Sequence, residues 1–245
     1  MKTVAFHLQK GGVGKTTLSG TVAAQAATVG RTLLVDCDPQ GSVSSWFLKD
    51  VKQELSDVLN GNEYTHGAIC NISENFDILP TVGLDGGLKL YGEAKLCHEP
   101  FVFCDLMDTI KELQYEFVIA DLSPGMGMLE KAILIACDEV VTPMTPEVFS
   151  LDGILIFANQ LQKLGKTMKR APKHSIVVVN AFDGRIRQHC EIEKITRELE
   201  YKVIMIPVDP VFRKSQAAKT TPQKFGGMKL LTEEAIKTIG DLLWQ

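Results

Sequence analysis

Residues 9–17 form a glycine-rich stretch between two regular patterns and read Gln9-Lys10-Gly11-Gly12-Val13-Gly14-Lys15-Thr16-Thr17. The apolar and β-branched run 3–8 before it is typical of a buried strand, and the pattern 16–29 after it is typical of a helix. Glycines let the backbone fold tightly, so that several N–H groups point at one anion in front of a helix N-terminus. Lys15 would then reach the β- and γ-phosphates of a nucleotide, and the Thr16 hydroxyl would ligate Mg²⁺. The stretch therefore predicts a phosphate-binding loop.

Strand and helix patterns alternate along the rest of the chain. We predict strands at 3–8, 32–36, 76–79, 117–121, 139–143, 175–180 and 203–206. Helical patterns lie at 16–29, 104–113, 129–137, 150–164, 189–200 and 232–243. This alternation predicts one α/β domain over residues 1–245, with a single doubly wound, mainly parallel sheet and helices on both faces. Residues 60–100 are weakly patterned, and we expect them to form a variable excursion from the same domain.

Carboxylates follow two of the predicted strands. Asp36 and Asp38 end the second strand, and Asp121 ends the strand 117–121. Since ligands bind at the carboxyl ends of strands in such sheets, all three are expected near the phosphate loop. One carboxylate of the first pair can orient an attacking water while the other supports the metal, and Asp121 would meet Mg²⁺ through water. We predict that Thr16 and Asp121 belong to the metal site, and that Asp36 and Asp38 divide metal support and water orientation between them.

The loop departs from the common pattern G-x-x-x-x-G-K-[ST], because Gln9 stands at the first glycine and a second lysine, Lys10, follows. It resembles the deviant Walker A motif K-G-G-x-G-K-[ST] of the ParA/MinD family of ATPases, and Asp36-Cys37-Asp38-Pro39-Gln40-Gly41 is similar to that family's second motif. The resemblance implies that residues 10–17 bind ATP and that Lys10 reaches the partner's nucleotide in an ATP-sandwich homodimer. It also implies that hydrolysis depends on Asp38, together with Lys15 and Lys10.

Further stretches resemble ParA proteins along nearly the whole chain. Residues 136–143 and 146–153 are similar to a family segment, Asn180 resembles the asparagine that meets adenine, and Pro207 and Asp209 resemble the turn over the base. The family usually continues Asp-x-Pro-Pro after the Walker B aspartate, whereas this chain reads Asp121-Leu122-Ser123-Pro124-Gly125. We therefore expect a differently shaped loop after residue 121.

Charge is uneven along the chain. Residues 159–229 carry 15 Lys and Arg against 6 Asp and Glu, whereas the whole chain has a net charge of −4. ParA proteins coat nucleoid DNA without sequence preference and release it when a ParB-type partner stimulates hydrolysis, which implies a cytoplasmic, nucleoid-associated protein. Arg213 matches a family DNA-contact position, whereas Arg187, Arg197 and Lys214 are candidates from charge alone. Solvated helix faces remain the alternative for these three residues.

Several other classes of protein fit the sequence poorly. No apolar run approaches ~18 residues, which disfavours a membrane span, and no leader pattern precedes the first strand, which disfavours secretion. The six cysteines form no CxxC pair, which disfavours a disulfide framework and an iron–sulfur ATPase. Since the first strand begins at residue 3, we expect no helix-turn-helix domain before it. A MinD-like ATPase that positions a protein or membrane cargo is the main alternative. However, helix 232–243 carries three acidic residues and one lysine, so we expect it to pack on the core. A metabolite ligase on the same fold remains open through residues 60–100.

Overall fold

The computed structural model describes residues 1–83 and 86–244. Its strands, β1 to β8, are Lys2–Phe6, Thr32–Cys37, Cys70–Ser73, Phe76–Leu79, Phe117–Leu122, Glu139–Met144, Lys173–Phe182 and Lys202–Pro207. They form one sheet in the order β3-β4-β2-β5-β1-β6-β7-β8. Each neighbouring pair is parallel except β3 and β4, which form an antiparallel hairpin. The doubly wound, mainly parallel sheet is therefore confirmed.

Helices cover both faces of this sheet. In chain order α1 to α12 are Lys15–Ala26, Ser42–Phe47, Leu55–Leu59, Thr65–Ala68, Gly87–Ala94, Val102–Glu112, Met128–Ala136, Val148–Met168, Arg187–Arg197, Val211–Ala217, Pro222–Phe225 and Leu230–Leu243. Helices α3 to α9 share one buried apolar cluster with one face of the strands. Helices α1, α2, α10 and α12 share a second cluster with the opposite face, and α11 packs beside α1 and α10.

All seven predicted strands and all six predicted helices are present, with small shifts at their ends. The strand β3 and six short helices were not predicted from the sequence, namely α2, α3, α4, α5, α10 and α11. These elements have four to eight residues, too few for a periodic pattern to emerge. Residues 60–100 contain α4, β3, β4 and α5, while positions 84 and 85 of that stretch lie outside the described residues, as does position 245.

The register of the central strands places the predicted site at one edge of the sheet. Phe6 on β1 pairs with Asp121 on β5, and Asp121 pairs with Asp36 on β2. The chain after β1 therefore enters the glycine-rich loop at the same level as these two carboxylates. At the far end of the chain, α12 buries Ala235, Ile236 and other apolar residues in the core, which confirms the packing expected for this helix. In the described part of the chain, no helix has the length and apolar character needed to span a membrane.

Candidate nucleotide site

The glycine-rich loop curls between β1 and α1 as a cradle. Gly12 and Gly14 have φ angles of +74° and +96°, which L side chains rarely adopt. Gly14 has a second reason to lack a side chain, because a Cβ built there would lie 2.3 Å from the Asn180 Nδ2 atom. The helix α1 begins at the next residue, so the loop faces the positive end of its dipole. This geometry suits a phosphate chain.

The Lys15 side chain is held inside the curl of the loop. It is buried, and its Nζ donates to the Lys10 carbonyl oxygen at 2.9 Å. Burial lowers the pKa of Lys15, while the charges of Asp121 and Asp38 act in the opposite direction. The ammonium group therefore lies between the loop and two carboxylates, where it can meet an anion on the open side.

Asp121 is the least satisfied charged group of the site. Its side chain is fully buried, and neither carboxylate oxygen has a hydrogen-bond partner among the described residues. Burial and the neighbouring charge of Asp36 raise its pKa well above the usual value, against the effect of the nearby Thr16 and Ser19 hydroxyls. A buried carboxylate without a partner is costly unless a cation or a water layer completes it. Asp121 and Thr16 therefore fit a Mg²⁺ ion.

The described residues contain no cluster of three or more His, Cys, Asp or Glu side chains suited to a metal ion. Mg²⁺ usually binds one or two protein oxygens and takes its other ligands from water and substrate phosphates.

Asp36 and Asp38 lie at the end of β2 in different surroundings. The Asp36 Oδ2 atom accepts hydrogen bonds from the Ser44 backbone N–H at 2.9 Å and the Ser44 hydroxyl at 2.6 Å, and burial raises its pKa to about 7. Asp38 accepts from the Gln40 N–H at 2.9 Å, and burial raises its pKa against the nearby charge of Lys15. Asp36 thus stabilises the start of α2 through its bonds to Ser44. Among the described residues, no hydrogen bond reaches the second carboxylate oxygen of Asp38.

The loop after Asp121 is hydrogen-bonded to Glu130, a residue that was not predicted from the sequence. Glu130, in the first turn of α7, accepts hydrogen bonds from the Ser123 hydroxyl and, at 2.7 Å, from the Gly127 N–H. Its charge also contributes to the raised pKa of Asp38. The only signal in the sequence was its position in the first turn of a predicted helix, where acidic residues are common. The unusual sequence 121–125 is thus tied to α7 by one carboxylate.

The Lys10 side chain is hydrogen-bonded to residues of its own chain. Its Nζ lies 2.6 Å from the Glu147 Oε2 atom and 2.9 Å from the Ser150 hydroxyl, with the Thr145 hydroxyl at 3.5 Å. These partners belong to the end of β6 and the start of α8. In this arrangement the second lysine of the loop is anchored on the first turn of α8.

Of the residues predicted to meet the base, Asn180 contacts the loop, whereas Pro207 and Asp209 lie at the end of β8 and in the turn after it. Asn180 on β7 donates to the Val13 carbonyl oxygen at 3.0 Å, and Pro207 ends β8 opposite Phe182. Asp209 accepts three hydrogen bonds at 2.8–3.0 Å, from the N–H groups of residues 211 and 229 and from the hydroxyl of residue 232. Burial alone would raise the pKa of Asp209, but these bonds hold it below its ordinary value. Asp209 therefore stabilises the turn after β8 through these three hydrogen bonds.

The four basic residues predicted to contact DNA do not share one face. Arg213 and Lys214 are exposed on α10, whereas Arg187 and Arg197 lie on α9, in the opposite helical layer. The two arginines of α9 pair with acidic residues one turn away along their own helix. Among the described residues, neither Arg213 nor Lys214 is part of an ion pair.

One hydrogen bond connects helix α10 to the end of the loop, and a second connects α2 to the segment after α10. The Gln216 amide donates to the Thr17 hydroxyl at 3.0 Å, and the Trp46 indole N–H donates to the Thr220 carbonyl oxygen at 2.9 Å. A Cβ built on Gly20 of α1 would lie 2.6 Å from the Trp46 ring, so α2 also packs closely against α1. The helix that carries Arg213 thus touches the residue at the end of the phosphate loop.

Comparisons with known proteins agree with this geometry. A family model described as an AAA domain matches residues 1–173. The chain is 38% identical over 192 residues to the uncharacterized protein BBD21 of Borreliella burgdorferi, covering 77% of this chain and 78% of that protein. It is 30% identical over 213 residues to the sporulation initiation inhibitor protein Soj of Bacillus subtilis, covering 83% of each.

Solved structures give the same fold. A plasmid partition protein of Borrelia burgdorferi, BB_S35, bound to AMPPNP, has a TM-score of 0.78 and 20% identity and covers 97% of each chain. The septum site-determining protein MinD of Pyrococcus horikoshii, complexed with Mg-ADP, has a TM-score of 0.81 and 21% identity, over 98% of this chain and 95% of that one. At these identities the likeness shows the fold alone.

Proposed function

Because this chain belongs to the ParA/MinD family of P-loop partition ATPases, we propose that it is a slow, Mg²⁺-dependent ATPase of plasmid or chromosome partition. In this proposal ATP drives formation of a homodimer, the dimer binds duplex DNA without sequence preference, and a ParB-type protein stimulates hydrolysis. The protein would act in the cytoplasm on the nucleoid. The chromosome-partitioning ATPase Soj of Treponema pallidum, which is 29% identical over 79% of this chain, supports the partition role by likeness.

The observation that carries the ATPase proposal is the arrangement around Asp121. A buried carboxylate without partners, a buried lysine and the Thr16 hydroxyl surround the open side of a glycine-rich loop. The loop N–H groups and Lys15 would hold the β- and γ-phosphates, and Thr16 and Asp121 would hold Mg²⁺. When bound, Mg²⁺ would neutralise charge that develops on the phosphate oxygens.

Asp38 is our candidate for orienting the attacking water. It lies at the end of β2, close enough to Lys15 to feel its charge, and one of its carboxylate oxygens is used by the Gln40 N–H. The other oxygen has no protein donor among the described residues, so it can accept a hydrogen bond from water. Asp36 is a weaker candidate for the metal, since Ser44 and the Asp38 N–H already occupy its oxygens.

The ATPase proposal is tested by two substitutions. Lys15→Ala should abolish nucleotide binding, because the phosphate charge loses its partner inside the loop. Asp38→Ala should bind ATP and Mg²⁺ as the wild type does, with hydrolysis reduced by at least about 100-fold. Fluorescent-nucleotide titration measures binding, and phosphate release measures turnover. Equal turnover by Asp38→Ala and the wild type would remove Asp38 from the mechanism.

The DNA proposal rests on charge and on the placement of α10. Arg213 and Lys214 are exposed there, without an ion pair in the described part of the chain, on a helix that is hydrogen-bonded to Thr17 of the loop. Non-specific DNA binding is mainly neutralisation of phosphates by such cations. A dimer doubles the number of contacts, so DNA affinity should depend strongly on ATP. With ~3 contacts per subunit, log K should fall against log salt with a slope of about −5.

Arg213→Glu in the Asp38→Ala background tests this surface. Binding of unrelated duplexes should weaken equally, while binding of ATP is retained. Arg187→Glu is the matched comparison in the opposite layer, where Glu191 already pairs with the arginine, and its effect should be much smaller. Fluorescence anisotropy across a salt series measures both. A trapped ATP state that binds no DNA would favour the MinD-like alternative, a positioning ATPase for a protein or membrane cargo.

A further inference from the structure

A cavity of about 400 Å³ lies between α7 and the second half of α8. Its lining includes Ala132 and Ile135 of α7 and Leu164 of α8, which are all buried, and Pro100 in front of α6. Residues 9–17 of the nucleotide loop are not part of this lining. Pockets for small molecules usually measure about 300–1,000 Å³ and have mostly apolar walls. The cavity therefore has the size and the lining of a ligand site separate from the nucleotide loop.

Three of the chain's eight methionines lie around this cavity. Met126 precedes α7, Met128 is the first residue of α7, and Met168 is the last residue of α8. Methionine side chains are unbranched and adapt their shape to an apolar partner. These walls can therefore close around a flexible hydrocarbon chain.

The charged groups that line the cavity are both cationic. Lys131 of α7 and Lys163 of α8 are exposed, and neither is part of an ion pair among the described residues. The lining contains no Asp or Glu from the described part of the chain. Residues 160–170, at the end of α8 and just after it, hold three more basic residues and no acidic one. The mouth of the cavity therefore attracts an anionic group.

Gln160 adds a polar group to the apolar lining. Its Oε1 atom is buried and has no hydrogen-bond partner among the residues that the structure describes. A buried amide oxygen without a partner is costly, so a hydrogen bond to this side chain would be favourable. The amide carries both a donor and an acceptor and can therefore bind a polar group that enters the cavity.

We propose that this cavity binds a small amphiphile with one hydrocarbon chain and an anionic head, of the fatty-acid class. The chain would lie among the three methionines, and the carboxylate would lie beside Lys131 and Lys163. A metal ion finds no carboxylate in the described lining, and the two lysines would repel a cationic ligand. A single chain with a carboxylate matches the apolar walls and the charge of the mouth together.

The cavity also reaches the loop that follows Asp121. Met126 and Met128 lie on either side of Gly127, whose N–H donates to the Glu130 carboxylate at 2.7 Å. A ligand that contacts these two methionines therefore contacts the segment that joins Asp121 to α7. Binding in the cavity requires no nucleotide, so it can be tested on the nucleotide-free protein whether or not the proposed ATPase activity holds.

Titration calorimetry with decanoate tests the proposal, and decylammonium is the probe with the same chain length and the opposite head charge. We expect saturable binding of one decanoate per chain with a Kd below about 1 mM. Decylammonium should bind at least about tenfold more weakly, because the lysines repel its head. Methyl NMR of isotope-labelled methionine locates the site. The signals of Met126, Met128 and Met168 should shift, whereas that of Met228, at the opposite face of the sheet, should not.

Two substitutions test the walls and the charge separately. Ala132→Phe fills the cavity from its buried wall and should abolish binding of decanoate. Lys163→Glu replaces an attraction by a repulsion, so it should weaken decanoate binding by at least about threefold and strengthen binding of decylammonium. Lys237→Glu, at an exposed lysine of α12 in the opposite helical layer, is the matched control and should bind decanoate as the parent does. Urea denaturation shows that each variant is folded.

A Kd for decanoate above about 1 mM would overturn the proposal, and so would equal affinity for decanoate and decylammonium. Methyl shifts confined to methionines outside the cavity would place the ligand elsewhere, with the same consequence. Undiminished binding by a folded Ala132→Phe would also contradict it. If Ala132→Phe does not fold, the comparison of Lys163→Glu with Lys237→Glu and the methyl shifts decide the question.

Discussion

The ends of β2 and β5 carry the same chemical group at the same level of the sheet, since Asp36 and Asp121 are register partners. Both carboxylates are fully buried, and burial raises the pKa of each. Ser44 and the Asp38 N–H use both oxygens of Asp36, whereas Asp121 has no hydrogen bond of good geometry from the described residues, and only the nearby Thr16 and Ser19 hydroxyls act to lower its pKa. The first carboxylate is thus completed by the chain itself. The Asp121 carboxylate is left to bind a group from outside the chain. The two aspartates therefore differ in role: Asp36 stabilises the fold, whereas Asp121 is available to a ligand.

The largest expected effect is on hydrolysis, at Asp121. Asp121→Asn should reduce turnover at saturating ATP and Mg²⁺ by at least about 100-fold, because the amide supplies weaker charge stabilisation for the metal. It should leave the free energy of unfolding of the nucleotide-free protein unchanged or raise it, since burial disfavours the charged form of Asp121 and no hydrogen bond of good geometry offsets this cost. Phosphate release and urea denaturation measure the two quantities.

Asp108→Asn, at an exposed carboxylate on α6, is the control for both measurements and should change neither. A large loss of stability in Asp121→Asn would show that Asp121, like Asp36, is completed by the chain.

Asp36 should behave in the opposite way. Asp36→Ala removes the acceptor from two buried donors of Ser44, and each unpaired donor costs about 1–3 kcal/mol. We expect the free energy of unfolding to fall by about 2–4 kcal/mol. Ser44→Ala removes one of these bonds and also the acceptor of the buried Thr81 N–H, so it should cost about 1–3 kcal/mol. Equal stability of Asp36→Ala and Asp121→Ala in urea denaturation would break the comparison.

His7 is a third buried titratable group near the site, and its ring is neutral at pH 7 because burial lowers its pKa. Neither ring nitrogen has a hydrogen bond of good geometry among the described residues, and burial, with the charge of Lys15, lowers the pKa of His7 to about 3 against the effect of the Ser123 backbone. Below about pH 6.5 the His7 ring is therefore protonated in the unfolded chain but not in the folded chain. The free energy of unfolding falls as the pH drops from 6.5 towards 3.

At pH 5 the loss from His7 amounts to about 2 kcal/mol. His7→Leu should remove it, so that the stability difference between pH 7.5 and pH 5 shrinks by that amount in urea denaturation. His174, whose pKa burial lowers to about 4, remains in the variant and keeps part of the acid sensitivity. An unchanged pH dependence in His7→Leu would contradict this account.

The central sheet could be predicted because its strands leave a strong record in the sequence. The continuous apolar run Ile176-Val177-Val178-Val179 reads as a buried strand without any knowledge of its neighbours, and β7 contains it. The order of motifs after β1, β2 and β5 likewise predicts which side chains meet at one edge. These features depend on local composition and on a general rule for parallel sheets.

The partners of the site residues could not be predicted, because they depend on the placement of short elements. Ser44 completes Asp36 only because α2 turns back over β2, and six residues rich in serine give no helical pattern. Glu130 returns to Ser123 in the same way. Charge alone also gave no sign that Arg187 and Arg213 lie in different helical layers, since the layer is set by the direction of each crossover.

Both edge strands of the sheet carry features that disfavour pairing with a further strand. At one edge β3 is short, antiparallel and irregular, with a shift in register between Asn71 and Ser73. At the other, β8 begins with the exposed Lys202 and ends with Pro207, which has no N–H group to donate. Natural proteins use such bulges, charges and prolines to prevent edge-to-edge aggregation. Copies of this chain crowded together should therefore associate through side chains of helices and loops, and such contacts remain reversible.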